Sequence, residues 1–160
     1  MREHGSGMLA ALMIAAGAWC AGGAMGETIS VKDADLVPYV IAENGIAQSL
    51  TGRHGDPASG LKIAVNRKLG NCLGCHAMPV KDVQFPGNLG PDLAGVGTRL
   101  SEAELRLRLV DAKRVNPATS MPGFYKIDGL NGVDKKHLGK PMLSAEQIED
   151  LVAYLASLKN

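Results

Sequence analysis

At 160 residues and a formal charge of +1, the chain holds one domain's worth of sequence and lacks the dense basic face that nucleic-acid binding requires. Only 4% of its residues are aromatic, few for a small domain that must fill its own core. A large apolar prosthetic group would supply some of that missing volume.

Residues 1–26 read as an export signal. After Arg2 comes GMLAALMIAAGAWCAGGAMG, an apolar stretch ending in small residues, with Ala24-Met25-Gly26 as a small-x-small cleavage site. An uncut anchor is the alternative, but it would need roughly 20 apolar residues. There is no twin-arginine pair, and Trp19 is a poor residue to precede a lipid-bearing Cys20. Cleavage is therefore expected to remove Cys20 and place the mature chain, from near Glu27, in the periplasm. Disulfides are permitted there. Cys72 and Cys75, however, close too short a loop to staple a fold, so their role is chemical.

Residues 27–55 are expected to form an N-terminal arm, either extended with a strand pair or a loosely ordered leader. Its apolar run LVPYVI is broken by Pro38, and Asn44-Gly45 marks a turn. Residues 56–160 carry the main domain. Asp56 as N-cap and Pro57 at the first helical position begin a helix. Gly60 inside it suggests a second helix crossing closely. Ser101 with Glu104 makes a capping box for a middle helix. The LRLRLV within that helix alternates like a strand, but the cap, the length and the Ala, Leu and Arg content favour helix, with Leu105, Leu109 and Ala112 on one face. Pro117 ends it. Ser144 with Gln147 repeats the box, Leu143 and Ile148 suit a hydrophobic staple, and Ile148, Leu151, Val152, Leu155 and Leu158 form the apolar stripe of a last helix. Residues 77–99 and 114–142, rich in Gly, Pro and Asn, read as loops long enough to wrap something. The fold class is all-α.

The residues NCLGCH carry the chemistry. Cys-x-x-Cys-His is the attachment signal for c-type haem. Each thiol adds across one haem vinyl group, the two-residue gap lets both sulfurs reach adjacent edges of the ring, and the next residue projects its imidazole under the iron. Cys72 and Cys75 would carry the thioethers and His76 would be the proximal ligand. Two other readings exist. A redox dithiol belongs in a βαβ setting, which the sequence does not show. Zinc wants four ligands, and the remaining histidines, His54 and His137, are scattered.

For the sixth ligand, Met78 lies too near His76 to cross the ring, and Met142 just ahead of the last helix suits a core position. Met121, in NPATSMPGF between Pro117 and Pro122, is the preferred candidate, with His54 and His137 as alternatives. His–Met ligation fills both axial positions, which raises the reduction potential and favours electron transfer over catalysis at an open iron.

Several of these features resemble class I cytochromes c: the capped first helix with Gly60, CxxCH at its end, LGPDLAGVGTR after it, and a Met-Pro loop before a terminal helix. That resemblance implies that Gly60 lets the first helix cross the last near Tyr154, that the Pro91 carbonyl accepts a hydrogen bond from the His76 ring, and that Leu93 packs on the haem. The spacing from Gly60 to Cys72 is longer than in compact members, so the first helix is expected to extend by a turn or bend near Gly70.

Within that class, NRKLGNCLGCH, RLRLVDAKRVNPATSMP and GKPMLSAEQIEDLVAYLASLK resemble the SoxX family, the monohaem subunits of SoxAX cytochrome complexes in bacterial sulfur oxidation. The resemblance spans residues 45–159. It implies a SoxA-like haem subunit as partner, in a heteromeric L-cysteine S-thiosulfotransferase. That complex conjugates thiosulfate oxidatively to a cysteine of a carrier protein. This chain would accept the released electrons and pass them to a soluble cytochrome, with no catalytic residue of its own. A free-standing electron shuttle is the alternative. Arg106, Arg108, Lys113 and Arg114, then Lys135, Lys136 and Lys140, are basic clusters that would steer an acidic redox partner or simply face solvent. Arg106 and Arg108 are the favoured pair.

Overall fold

The computed structural model describes residues 1, 27–29, 36–83 and 85–160. The expected export signal therefore falls outside the described residues from its second position onward. Among the described residues, no helix is long and apolar enough to cross a membrane.

The first helix, α1 (Pro57–Val65), starts where its cap chemistry dictates. The Asp56 carboxylate accepts from the amides of Ala58 at 3.0 Å and Ser59 at 3.3 Å, and Pro57 takes the first turn. The Ser59 hydroxyl, which donates to the same carboxylate at 2.8 Å, and then the Ala58 amide hold the Asp56 carboxyl below its usual range. Of the two outcomes expected from the long spacing, an extra turn or a bend near Gly70, the chain takes the bend. Asn66 closes the helix, and the chain turns back so that the Gly70 amide donates to the Ile63 carbonyl at 3.2 Å. The extra residues before the cysteines are thus spent on a turn.

After the CxxCH segment comes a short helix, α2 (Val96–Arg99), inside a stretch that read as loop. It follows Gly95, whose φ of 65° favours glycine. The middle helix, α3 (Glu102–Val115), carries the reciprocal Ser101–Glu104 capping box. Leu105, Leu109 and Ala112 are buried together, so LRLRLV is helical despite its alternation. The backbone leaves helical geometry at Asp111, with φ −150° and ψ 84°. The last helix, α4 (Ala145–Ser157), has the Ser144–Gln147 box, and its Ile148, Leu151, Val152 and Leu155 are buried. Leu143 is buried too, as a staple requires.

Ahead of α1, strand β1 (Glu27–Ile29) pairs antiparallel with β2 (Tyr39–Ile41), Glu27 opposite Ile41. Ala42 and Gly45 exchange hydrogen bonds of 3.0 and 3.1 Å around the Asn44-Gly45 turn. Leu36, Tyr39, Ile41, Ile46 and Leu50 are buried in the same core as the helices. The Ile46 amide also donates to the Ala103 carbonyl at 3.0 Å. Residues 36–50 are thus packed against the helices.

The centre of the fold is the crossing of α1 over α4. A Cβ at Gly60 would lie 2.0 Å from the Asp150 carbonyl oxygen and 2.7 Å from the Tyr154 Cβ, so only glycine permits this approach. Gly60→Ala is expected to lower unfolding stability by about 1–3 kcal/mol, the usual effect of overpacking. Chemical denaturation of the two proteins checks it, and equal midpoints would show that the crossing yields.

Arg106 corrects the sequence reading. It is 3% exposed and holds Glu149, itself 3% exposed, through Nε and Nη2 at 2.8 and 2.9 Å. Its Nη1 donates to the Ile46 carbonyl at 2.7 Å, and Glu149 also accepts the Leu50 amide at 2.9 Å. One ion pair thereby joins α3, α4 and the 46–50 segment. It cannot steer a partner. Arg108 is half-buried and donates to the Glu104 carbonyl at 3.0 Å.

Candidate functional site

Cys72, Cys75 and His76 form one turn. Asn71 takes a left-handed conformation (φ 48°), one that Asn tolerates better than most residues, and Cys72–Gly74 is a 3-10 turn. The amides of Cys75 and His76 both return to the Cys72 carbonyl, at 3.1 and 2.8 Å. Both cysteines are free thiols, Cys72 half-buried and Cys75 exposed. Burial pushes the Cys72 thiol up to about 11. A redox dithiol belongs in a βαβ setting; this pair stands instead in a 3-10 turn between α1 and α2. Among the described residues, no group of three or more His, Cys, Asp or Glu is placed to hold a metal ion.

The segment 87–93 is hydrogen-bonded along the attachment turn. Gly87 donates to Leu73 at 2.8 Å, Gly90 to Cys75 at 2.8 Å and Leu93 to Ala77 at 2.9 Å. This pairing brings Pro91 beside His76, whose Nδ1–H donates to the Pro91 carbonyl at 2.7 Å. The bond fixes the tautomer and leaves Nε2 as the nitrogen free to meet a metal. Gly90 makes room for the ring, since a Cβ there would lie 2.2 Å from the His76 Cε1. Arg99 ties the following segment down, donating to the carbonyls of Ala94 at 2.6 Å and Asp92 at 2.9 Å. Sequence reasoning gave Gly90 and Arg99 no role, although both stand in the quoted LGPDLAGVGTR run.

Leu93 and Met121 are half-buried apolar residues packed against the core. Met121 sits in a loop wound by short-range bonds. Its amide donates to the Thr119 hydroxyl at 3.1 Å, and the Ala118 amide to the Asn116 side chain at 3.0 Å. Met78 is buried and Met142 half-buried, both within or against the core. His54 has a 91% exposed side chain with Nδ1 3.9 Å from Glu102, and His137 is half-buried in the 3-10 turn Lys135–His137. A groove of about 710 Å³, lined by Val65, Asn71, Leu73 and Phe85 among others, flanks the attachment turn, and neither His76 nor Met121 borders it.

Residues 58–159 match the family model described as cytochrome c. The chain belongs to the cytochrome c family. Its mostly helical architecture is that of a class I cytochrome c. Among solved structures, it is similar to a chain of the crystal structure of SoxXA from P. pantotrophus, with 42% sequence identity and a TM-score of 0.70. That alignment covers 76% of this chain and 95% of the other. No curated protein matches the chain significantly.

Membership in the cytochrome c family implies covalently bound haem c, and the residues here fit that group. Two unpaired thiols lie one turn apart. The adjacent imidazole is oriented from its far nitrogen, with a glycine where any side chain would strike the ring.

Proposed function

We propose that this chain is the monohaem electron-transfer subunit of a SoxAX-type complex. The observation that carries this reading is the 42% identity to a SoxXA chain over 95% of that chain's length. Haem c supplies one-electron transfer when bound. Cys72 and Cys75 would hold it covalently, and His76 and Met121 would be the protein ligands to its iron. The Pro91 carbonyl keeps the imidazole aligned and raises its basicity, and Leu93 would pack against the haem and help keep water from it.

Joining thiosulfate to a carrier-protein cysteine forms one sulfur–sulfur bond and releases two electrons and the thiol proton. A chain with one haem takes those electrons singly and hands them to a soluble cytochrome. The sulfur chemistry belongs to the SoxA-like partner, because Cys72 and Cys75 are committed to the cofactor. Residues 27–55 form the arm of the mature chain, residues 56–160 the haem domain, and the mature protein is periplasmic.

Mild affinity purification from the native host tests the assembly. A stoichiometric second haem-bearing chain with a reactive cysteine is the expected co-purifying protein. A haem-loaded chain recovered alone would overturn the subunit reading in favour of a free-standing shuttle.

A further inference from the structure

The loop that carries Met121 is anchored on both sides to the same short stretch of α3. On its N-terminal side, Lys113 Nζ donates to the carbonyls of Thr119 at 3.1 Å and Pro117 at 3.5 Å. On its C-terminal side, the Phe124 amide donates to the Leu109 carbonyl at 2.9 Å, and Lys126 Nζ bonds the Asp111 carboxylate. Between these anchors the chain runs hard against the helix, since a Cβ at Gly123 would lie 2.8 Å from the Val110 carbonyl oxygen.

Asp111 is the unusual member. It is 3% exposed, and it occupies the one position where α3 departs from helical geometry. Lys126 is 28% exposed at its side chain, while the Arg114 Nε lies 4.0 Å from the same carboxylate oxygen. A carboxylate this buried is expensive to hold unless it is paired. Here its pairing fastens the far end of the Met121 loop.

Resting on the assignment of Met121 as iron ligand, we propose that Asp111 and Lys126 are positioning residues that hold the Met121 sulfur on the iron. The break in α3 turns the carboxylate towards Lys126, and the resulting bridge limits how far the loop can lift. Without it, the loop keeps its Lys113 side and loses part of its hold on the other. An added ligand then competes for the iron more easily.

Cyanide titration of the oxidised, haem-loaded protein tests this, with the sulfur-to-iron charge-transfer band and the thermal midpoint recorded alongside. The variants are Asp111→Asn, Lys126→Met, their double combination, and Met121→Ala as reference. Met121→Ala abolishes the band and opens the iron to cyanide. Asp111→Asn and Lys126→Met are each expected to raise cyanide affinity by roughly tenfold, equivalent to losing one charge-assisted hydrogen bond. The double variant is expected to exceed neither single by much, because one bridge is removed in all three. A weakened band in a folded protein marks a positioning effect. If cyanide affinity stays within about twofold of wild type while Met121→Ala opens the iron, the bridge proposal is overturned and the ligand assignment stands. If Met121→Ala changes neither the band nor cyanide binding, the ligand assignment fails and takes the proposal with it. Should Asp111→Asn lose its fold, Lys126→Met decides alone, as its apolar stem is conserved.

Discussion

Glu149→Ala is expected to remove about 3–5 kcal/mol of unfolding stability, the range for breaking one side of a buried ion pair. Removing the carboxylate leaves the Arg106 guanidinium, 3% exposed, with the Ile46 carbonyl and a looser 3.9 Å pairing to Glu102. It also deprives the Leu50 amide of its acceptor, so three N–H donors lose their partner in one substitution. Domains of this size have about 5–15 kcal/mol in total, so a large fraction of the fold's margin is at stake. Because both side chains are buried, added salt should do little to change the result. Glu149→Gln keeps an acceptor for Leu50 and is expected to lose less. Replacing both residues with apolar ones, Arg106→Met with Glu149→Leu, is expected to recover most of the loss. Denaturant titrations of the four proteins measure these differences. A Glu149→Ala protein within about 1 kcal/mol of wild type would mean that water reaches the pair.

Gly90→Ala is expected to raise the affinity of the reduced haem protein for carbon monoxide by roughly 10–100-fold, the scale on which partners behind a metal ligand act. Gly90 is not one of the positive-φ glycines, so alanine fits its backbone. Only the neighbour is at issue. The added methyl would sit 2.2 Å from Cε1 and 2.6 Å from Nδ1 of His76. Nδ1 is the nitrogen that donates to Pro91. Either the imidazole rotates and gives up that bond, or segment 87–93 pulls away from the attachment turn. Both loosen the same ligand. Affinity unchanged in a folded, haem-loaded Gly90→Ala protein would show that the 87–93 segment moves freely without disturbing the ring.

The helices and their starts were legible because their signals are local. Asp56-Pro57, Ser101 with Glu104, and Ser144 with Gln147 each fix a helix N-terminus within four residues of chain, and all three caps form as read. CxxCH is likewise local. What could not be read depends on partners far along the chain. Arg106 looked like a surface cation because the carboxylate that holds it is not local; its partner lies 43 residues away on α4. The break at Asp111 has no glycine or proline to announce it, and the Lys126 ammonium that its carboxylate meets lies 15 residues on, in the next loop. The sequence leaves the end of α1 open between an extra turn and a bend for a different reason. Asn66 can cap or continue a helix, and the contest is settled when Gly70 turns back onto Ile63.

The crossing at Gly60 also has a kinetic side. The residues that seal the molecule come from its two ends: Asp150 accepts the amide of Asp56, and Glu149 that of Leu50, pairs 94 and 99 residues apart. Contacts this distant in sequence form only after a large loop has been closed, and that closure is slow and entropically opposed. No partial chain lacking α4 can bury the inner face of α1. A growing chain therefore has its cysteines in hand well before it has a stable fold. Between those two moments the attachment turn is open chain, accessible from all sides, and this interval is the natural window for covalent loading.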